Sequence, residues 1–330
     1  MSTNAARSQP NSPMSAAPQV SVALCVFNGE RYLREQLDSV LAQTGVRLEV
    51  IAVDDGSTDT SVALLRDYAS RDPRLIVFVN AWNLGPRRCF ERAMALGCGE
   101  FVAPCDQDDI WKTDKLARLL ATIGTRDLAY GDSEFVDAAG VATGARVSDR
   151  MAMLSGHAPL RFVFANSVSG HAALVRRSLF DASRPFPAGV FHDWWLAMSA
   201  AMRGGIAYLD EPLVQFRRHD AAFSTLGRVP SATVPNRNRL WLEDRRRLLQ
   251  VYSEAAAPCP AGIAELRRAL DEALAGGGRA SLLRALWRLR GGIVAADESA
   301  FLQVIRLQLR FMRKLSRAQG EPRAPTPRPL

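Results

Sequence analysis

"VSVALCVFNGERYLREQLDSVLAQTGVRLEVIAVDDGS" runs from Val20 to Ser57. Val20–Phe27 is a nearly continuous apolar run, the pattern of a strand covered on both faces. Asn28-Gly29 turns the chain. Tyr32, Leu33, Leu37, Val40 and Leu41 then fall at helical spacing within Glu30–Ala42, and Leu48–Val53 is apolar again. Strand, helix and strand in so few residues make a βαβ unit, which builds a parallel sheet.

The alternation continues. Asp59 opens a helix with Val62, Leu65 and Tyr68 on one face, and Leu75–Val79 reads as the next strand. Pro86 falls in the first turn of the following helix, where a missing N–H costs nothing. Phe101–Pro104 is a short strand and Lys112–Ile123 a helix. Leu128–Val136 reads as a strand, and residues 141–165 carry no clear period. "HDWWLAM" starts a helix at His192, and Ile206–Leu209 and Leu213–Phe216 read as two separate strands. Helices are expected over Asn238–Glu254, Ile263–Leu274, Ala280–Leu289 and Glu298–Arg317. The last places Phe301, Leu302, Ile305, Leu309 and Met312 on its apolar side.

The expected organisation is a leader over 1–18, an α/β domain over 19–222, a linker over 223–236, a helical extension over 237–318 and a Pro-rich tail over 319–330. The leader lacks the apolar segment of a signal peptide. Five cysteines without CxxC spacing argue for a reducing, cytoplasmic setting over a disulfide framework or zinc site. The charge of +8 is uneven: residues 237–330 hold 18 Lys+Arg against 9 Asp+Glu, whereas the rest is nearly neutral. A neutral body with a basic C-terminal part suggests a tail that meets something anionic, such as the inner face of a membrane or nucleic acid, and solvated helix faces would carry the same charges. Aromatic residues interleaved with basic ones on a sheet are missing, so nucleic acid is not an expected partner.

Ligands of parallel sheets bind beyond the carboxyl ends of the strands. Those ends are polar here: Asn28-Gly29, Asp54-Asp55-Gly56-Ser57, Asn80 to Gly85, and Asp106 to Asp109. Asp106 and Asp108, one residue apart, can share Mg²⁺ or Mn²⁺ and through it a diphosphate. A solvated turn capping the next helix would carry the same residues. Asp54 and Asp55 can accept from a base N–H or a ribose hydroxyl, or serve only as a turn. Asp193, beside Trp194 and Trp195, can be desolvated enough for general-base work. His219 follows Arg217-Arg218 and can be a metal ligand, a hydrogen-bond donor to a phosphate, or simply a surface residue.

Together "VALCVFNGERYLREQLDSVLAQ", "VIAVDDGSTDTS", "NLG", "FVAPCDQDDIWKTDKL", "SGHAALVRR", "HDWWLAM" and "RRHD" resemble family 2 glycosyltransferases of GT-A fold, and within them a bacterial rhamnosyltransferase-like branch. The resemblance covers about residues 18–222. It implies a Rossmann-like, mostly parallel sheet flanked by helices. It also implies a metal-dependent, inverting transfer of a sugar from a nucleotide-diphosphate sugar to a glycan or lipid-linked hydroxyl. Phe27, Asn28, Asp54, Asp55, Asn83, Gly85 and Asp106 then belong to the donor pocket. Asp106, Asp108 and His219 become metal ligands, Asp193 the catalytic base, and Gly170, His171, Trp194 and Trp195 the acceptor side. Cys89 departs from the Asn that relatives often carry. The "DQDDIW" form resembles users of dTDP-rhamnose first and UDP-sugars next. The alternatives are a noncatalytic sugar-nucleotide-binding protein and a nucleotidyltransferase; the latter wants a Gly-rich phosphate loop after the first strand, which "VFNGERY" lacks.

Overall fold

A computed structural model describes residues 17–219, 237–255, 259, 261–293 and 300–318. Most of the expected leader, and all of the linker and tail, lie outside the described residues. The first half runs β1 (Val20–Val26), α1 (Leu33–Leu41), β2 (Leu48–Asp54), α2 (Ser61–Arg71), β3 (Leu75–Val79), α3 (Pro86–Leu96) and β4 (Phe101–Cys105). Then come β5 (Ile110–Trp111), α4 (Lys115–Ile123), β6 (Leu128–Val136), β7 (Ala142–Arg146), β8 (Ala173–Arg176), α5 (Arg177–Ala182), α6 (His192–Met202) and β9 (Ile206–Arg217). The C-terminal helices are α7 (Arg237–Ala255), α8 (Ala261–Leu274), α9 (Arg279–Arg288), α10 (Arg290–Ile293) and α11 (Ala300–Ala318).

The strands form one sheet in the order β3-β2-β1-β4-β8-β6-β9-β5, with β7 beside β6. β1 to β4 are mutually parallel, so their carboxyl ends meet at one rim. Side chains alternate across the sheet as strand geometry requires. Val22, Leu24, Val50 and Ala52 pack toward Leu33, Leu37, Leu65 and Leu116. Ala23, Ile51, Val53 and Val102 face the opposite layer, which holds Met94, Leu196 and Tyr252.

Two expectations change. The pair of strands expected over 206–216 is one continuous strand, β9. Its partner β6 absorbs Asp210 and Glu211 through register shifts around Asp132, and Pro212 falls opposite that irregularity. A bulge tolerates a proline because no ladder N–H is needed there. Gly131 permits the close approach, since a Cβ there would lie 2.7 Å from Leu213 Cδ1. Beyond the bulge β9 pairs with β5, Val214 opposite Trp111 and Gln215 opposite Ile110. That pairing carries Arg217 and His219 to the acidic loop.

The helical extension shares the core of the sheet domain. Tyr252 of α7 stacks on Trp195 of α6 with centroids 6.0 Å apart, and Arg245 donates to the Val163 carbonyl at 2.7 Å. On α11 the buried stripe is Val304, Phe311, Leu315 and Ala318, while Leu309 is 50% exposed. The expected stripe is rotated because α11 packs against both α7 and α9. Among the described residues no helix is long and apolar enough to cross a membrane.

Candidate active site

The rim is a set of loops tied to one another. Gln107 clamps Phe27: the Phe27 N–H donates to Oε1 at 2.8 Å and its carbonyl accepts from Nε2 at 3.1 Å. Asn28 takes a left-handed φ of 48°, uncommon outside glycine. Its N–H donates to Ser57 Oγ at 2.8 Å and its Oδ1 accepts from the Thr58 N–H at 2.9 Å. Asp55 is buried and holds the next loop, accepting from Asn80 Nδ2 at 2.6 Å, Leu84 N at 2.8 Å and Gly85 N at 2.9 Å. Asn83 is exposed, and its Oδ1 accepts from the same Gly85 N–H. Asp54 is fully buried. Its Oδ1 accepts from Gly56 N and Ser57 N, while Oδ2 has no partner.

The acidic loop is neutralised largely from within. His171 is buried, with Nδ1 3.6 Å from Asp106 Oδ2 and 3.5 Å from Asp109 Oδ2; its Nε2 is hydrogen-bonded to Ser133 Oγ at 3.0 Å. Burial disfavours its charge, but the charges of Asp109 and Asp106 outweigh this and raise its pKa. Burial likewise raises Asp106, yet the hydrogen bond and charge of His171 hold that carboxyl below its ordinary value. Burial pushes Asp109 up to about 7 against the pull of His171. Asp109 Oδ1 accepts from the Arg217 N–H at 3.0 Å. Asp108 is raised by burial and by Asp106, and its Oδ2 lies 2.8 Å from His219 Nε2.

Two basic residues inside the quoted motifs were not among the expected site residues. Arg217 is buried behind the loop and donates to the carbonyls of Asp108 at 3.0 Å and Ala138 at 3.1 Å, and to Glu35 Oε2 at 2.5 Å. Lys115 is buried too; Nζ donates to the His171 carbonyl at 2.5 Å and lies 3.0 Å from the Trp111 ring centroid. Burial holds its pKa well below the ordinary lysine value. The available signal was position: Lys115 shares its helix stripe with Leu116, Leu119 and Ile123, where a charge is unexpected.

Asp193 sits in the first turn of α6, and its Oδ1 accepts from the Trp194 N–H at 2.6 Å. Burial raises its pKa, with Asp106 adding to the rise. Gly170 lies against it, since a Cβ at 170 would come within 3.5 Å of Asp193 Cβ. A partly desolvated carboxylate therefore lies beside Gly170, near enough to Asp106 and His171 to feel their charges.

Residues 21–183 match the family described as glycosyl transferase family 2. Those residues form a domain of that family. It is 30% identical over 215 residues to an uncharacterized glycosyltransferase, alr2836, of Nostoc sp., an alignment covering 62% of this chain and 66% of that protein. The chain thus spans just under two thirds of that relative's length. Among solved structures it is similar to S. aureus TarS 1-349 in complex with UDP-GlcNAc, with a TM-score of 0.58, 18% identity and 92% of each chain covered. It is also similar to the mannosyltransferase PcManGT of Pyrobaculum calidifontis in complex with GDP-Man and Mn²⁺, with a TM-score of 0.50, 21% identity, and 93% of this chain and 87% of that one covered. These likenesses establish the GT-A type of α/β fold.

Against that frame, several expected assignments move. Trp195 is not an acceptor contact: it is 4% exposed, stacked under Tyr252, and its indole N–H donates to the Ser183 carbonyl at 2.7 Å. Trp194 is half-buried, its indole N–H committed to the Phe162 carbonyl at 2.6 Å and its face covered by Arg245. His171, expected on the acceptor side, stands inside the acidic cluster. Both Asp55 oxygens are engaged by the 80–85 loop, so it acts as a strut there. Cys89 is buried with its thiol 3.6 Å from the Val53 carbonyl, facing β2.

The donor set fits a hard divalent cation. Asp108 Oδ2 and His219 Nε2 are 2.8 Å apart. Neighbouring ligands of an octahedral ion at ~2.1 Å lie about 3.0 Å from each other. Asp106, Asp109 and His171 form a second grouping, with ligand atoms within 4.8 Å of one another. Asp106 borders both. An open groove of about 670 Å³ between α8, α9 and α11, lined by Glu265, Arg268, Arg284 and Trp287 among others, is built by the C-terminal helices, not by the strand ends.

Proposed function

We propose that the chain transfers a sugar from a nucleotide-diphosphate sugar to a hydroxyl of a glycan or lipid-linked acceptor, with inversion at the anomeric carbon. The donor proposed is dTDP-rhamnose, with UDP-sugars next; the TarS and PcManGT complexes support nucleotide-sugar donors as a class. The observation that carries the reading is that Asp54, Asp106 and Asp108 follow β2 and β4 at one rim, while Asp193, in the first turn of α6, lies near enough to Asp106 to feel its charge.

In this reading the buried, half-satisfied carboxylate of Asp54 and the backbone of Phe27 and Asn28 receive the nucleoside, and Asn83 and Gly85 bound the pocket. Asp106, Asp108 and His219 would hold Mg²⁺ or Mn²⁺. When bound, such an ion offsets the charge gathering on the departing diphosphate. Asp193 accepts the proton of the acceptor hydroxyl, whose oxygen forms the new bond as the bond to the diphosphate oxygen breaks on the opposite face. Lys115 and Arg217 hold the acidic loop in place from behind without touching substrate.

A peripheral position on anionic membrane is proposed through the exposed basic residues Arg284, Arg288 and Arg290, beside the exposed Trp287. Each basic residue near such a surface contributes about 1 kcal/mol. The deciding experiment is a donor screen with the full chain, following nucleotide diphosphate release across dTDP-, UDP- and GDP-sugars with and without Mn²⁺ or Mg²⁺. Release from dTDP-rhamnose that needs both metal and acceptor supports the reading; none from any donor refutes it.

A further inference from the structure

His192 opens α6 directly before Asp193. It is 8% exposed, and neither Nδ1 nor Nε2 has a hydrogen-bond partner. Buried polar atoms are ordinarily partnered, and an imidazole offers two to satisfy. Packing nevertheless holds the ring in place. Phe90 of α3 stacks on it with centroids 3.9 Å apart and planes 23° apart. Gly170 stands against the ring edge, where a Cβ would lie 2.8 Å from His192 Nε2, so only glycine fits there. Burial lowers the His192 pKa, so at pH 7 the ring is neutral, with one N–H donor and one bare acceptor.

The position of the ring says what could answer it. The charges that reach His192 are those of Asp193 and Asp106. These are the residues proposed as base and as donor-side acid, and between them the transferring sugar must stand. A histidine kept for structure would be tied to a carbonyl or carboxylate. One left buried and unpartnered on both nitrogens beside a transfer site weakens the ligand-free fold and is answered if a ligand hydroxyl reaches it.

We propose that His192 is a specificity-determining residue that hydrogen-bonds a hydroxyl of the transferring donor sugar. This rests on the glycosyltransferase reading above. The ring stacked on Phe90 is rigid, so its nitrogens can discriminate sugars by where their hydroxyls point. A sugar lacking the matching hydroxyl would leave the imidazole unanswered.

The test is calorimetry on the full chain with Mn²⁺, pairing dTDP with dTDP-rhamnose, UDP with UDP-GlcNAc, and GDP with GDP-mannose. For the pair that wild type binds, His192→Phe should raise the ratio of nucleotide-sugar Kd to nucleotide Kd roughly tenfold, the worth of one hydrogen bond. The Kd for nucleotide alone should stay unchanged. His192→Gln, which keeps a donor and an acceptor, should recover part of the loss. The ligand-free melting temperature of His192→Phe should rise, because an apolar ring replaces two unsatisfied nitrogens. An unchanged ratio in His192→Phe overturns the proposal. So does a lowered melting temperature with both Kd values weakened alike, which would make His192 structural. Failure of wild type to bind any pair refutes the glycosyltransferase reading itself, before any variant is made.

Discussion

Asp55→Asn separates a strut from a ligand contact. Asp55 Oδ1 accepts from Asn80 Nδ2 and Leu84 N, and Oδ2 accepts from Gly85 N. An asparagine can keep its oxygen toward the first two donors. Its Nδ2 then faces the Gly85 N–H, donor against donor. That N–H retains Asn83 Oδ1 at 2.9 Å, so it is not stranded. What disappears is one charge-assisted bond and the charge behind two others, a loss of about 1.5–3 kcal/mol. For a chain of this size that lowers the melting temperature by roughly 2–4 °C. The assay is thermal unfolding of ligand-free protein, followed by nucleotide titration. The drop should appear without nucleotide, with weaker nucleotide binding following from a loosened 80–85 loop. An unchanged ligand-free melting temperature combined with lost nucleotide affinity would refute the strut and return Asp55 to direct contact.

Asp193→Asn should fold normally and lose about 10²–10⁴-fold in transfer rate, checked by steady-state kinetics beside a melting curve. Because burial raises the Asp193 pKa, the base is protonated as pH falls. The acid limb of kcat/KM should therefore lie above the ordinary carboxylate range and vanish in Asp193→Asn. Asp108→Asn and His219→Ala should each raise the Mn²⁺ concentration needed for half-maximal activity while leaving the melting temperature of metal-free protein within a few degrees of wild type. Chelation should abolish wild-type turnover, and added Mn²⁺ or Mg²⁺ should restore it. Trp195→Ala should destabilise the fold by about 3–5 kcal/mol, as expected for a large aromatic lost from a core, and acceptor KM measured on the surviving folded protein should not change.

How much was legible in advance depended on whether the information was local. The parallel unit could be read from the apolar run at Val20, the turn at Asn28 and the helical spacing to Leu41, because each is a property of a few neighbouring residues. The strand-end rule then pointed to Asp54, Asp106 and Asp108 without knowledge of side-chain contacts. Trp195 was misplaced for the opposite reason. Its neighbours in sequence are site residues, but its burial is set by Tyr252, 57 residues along the chain. The stripe of α11 was rotated because two partner helices, not the helix itself, choose which face is covered.

By itself the sequence determined the α/β class, the strand ends that carry acids and the family, since periodicity and short motifs are written within single elements. Tertiary structure alone decided which charges share a site. Arg217 and His219 reach the acidic loop because β9, after the irregularity beside Gly131, stays paired with β6 on one edge and takes β5 on the other. Lys115 enters through the packing of α4, and His192 stands unpartnered beside Asp193 because Phe90 and Gly170 fit around it. Such pairings join residues 50 to more than 100 positions apart, as between Lys115 and His171 or Asp109 and Arg217. A charge's worth depends on those neighbours and on the water they exclude, and neither can be read from its place in the chain.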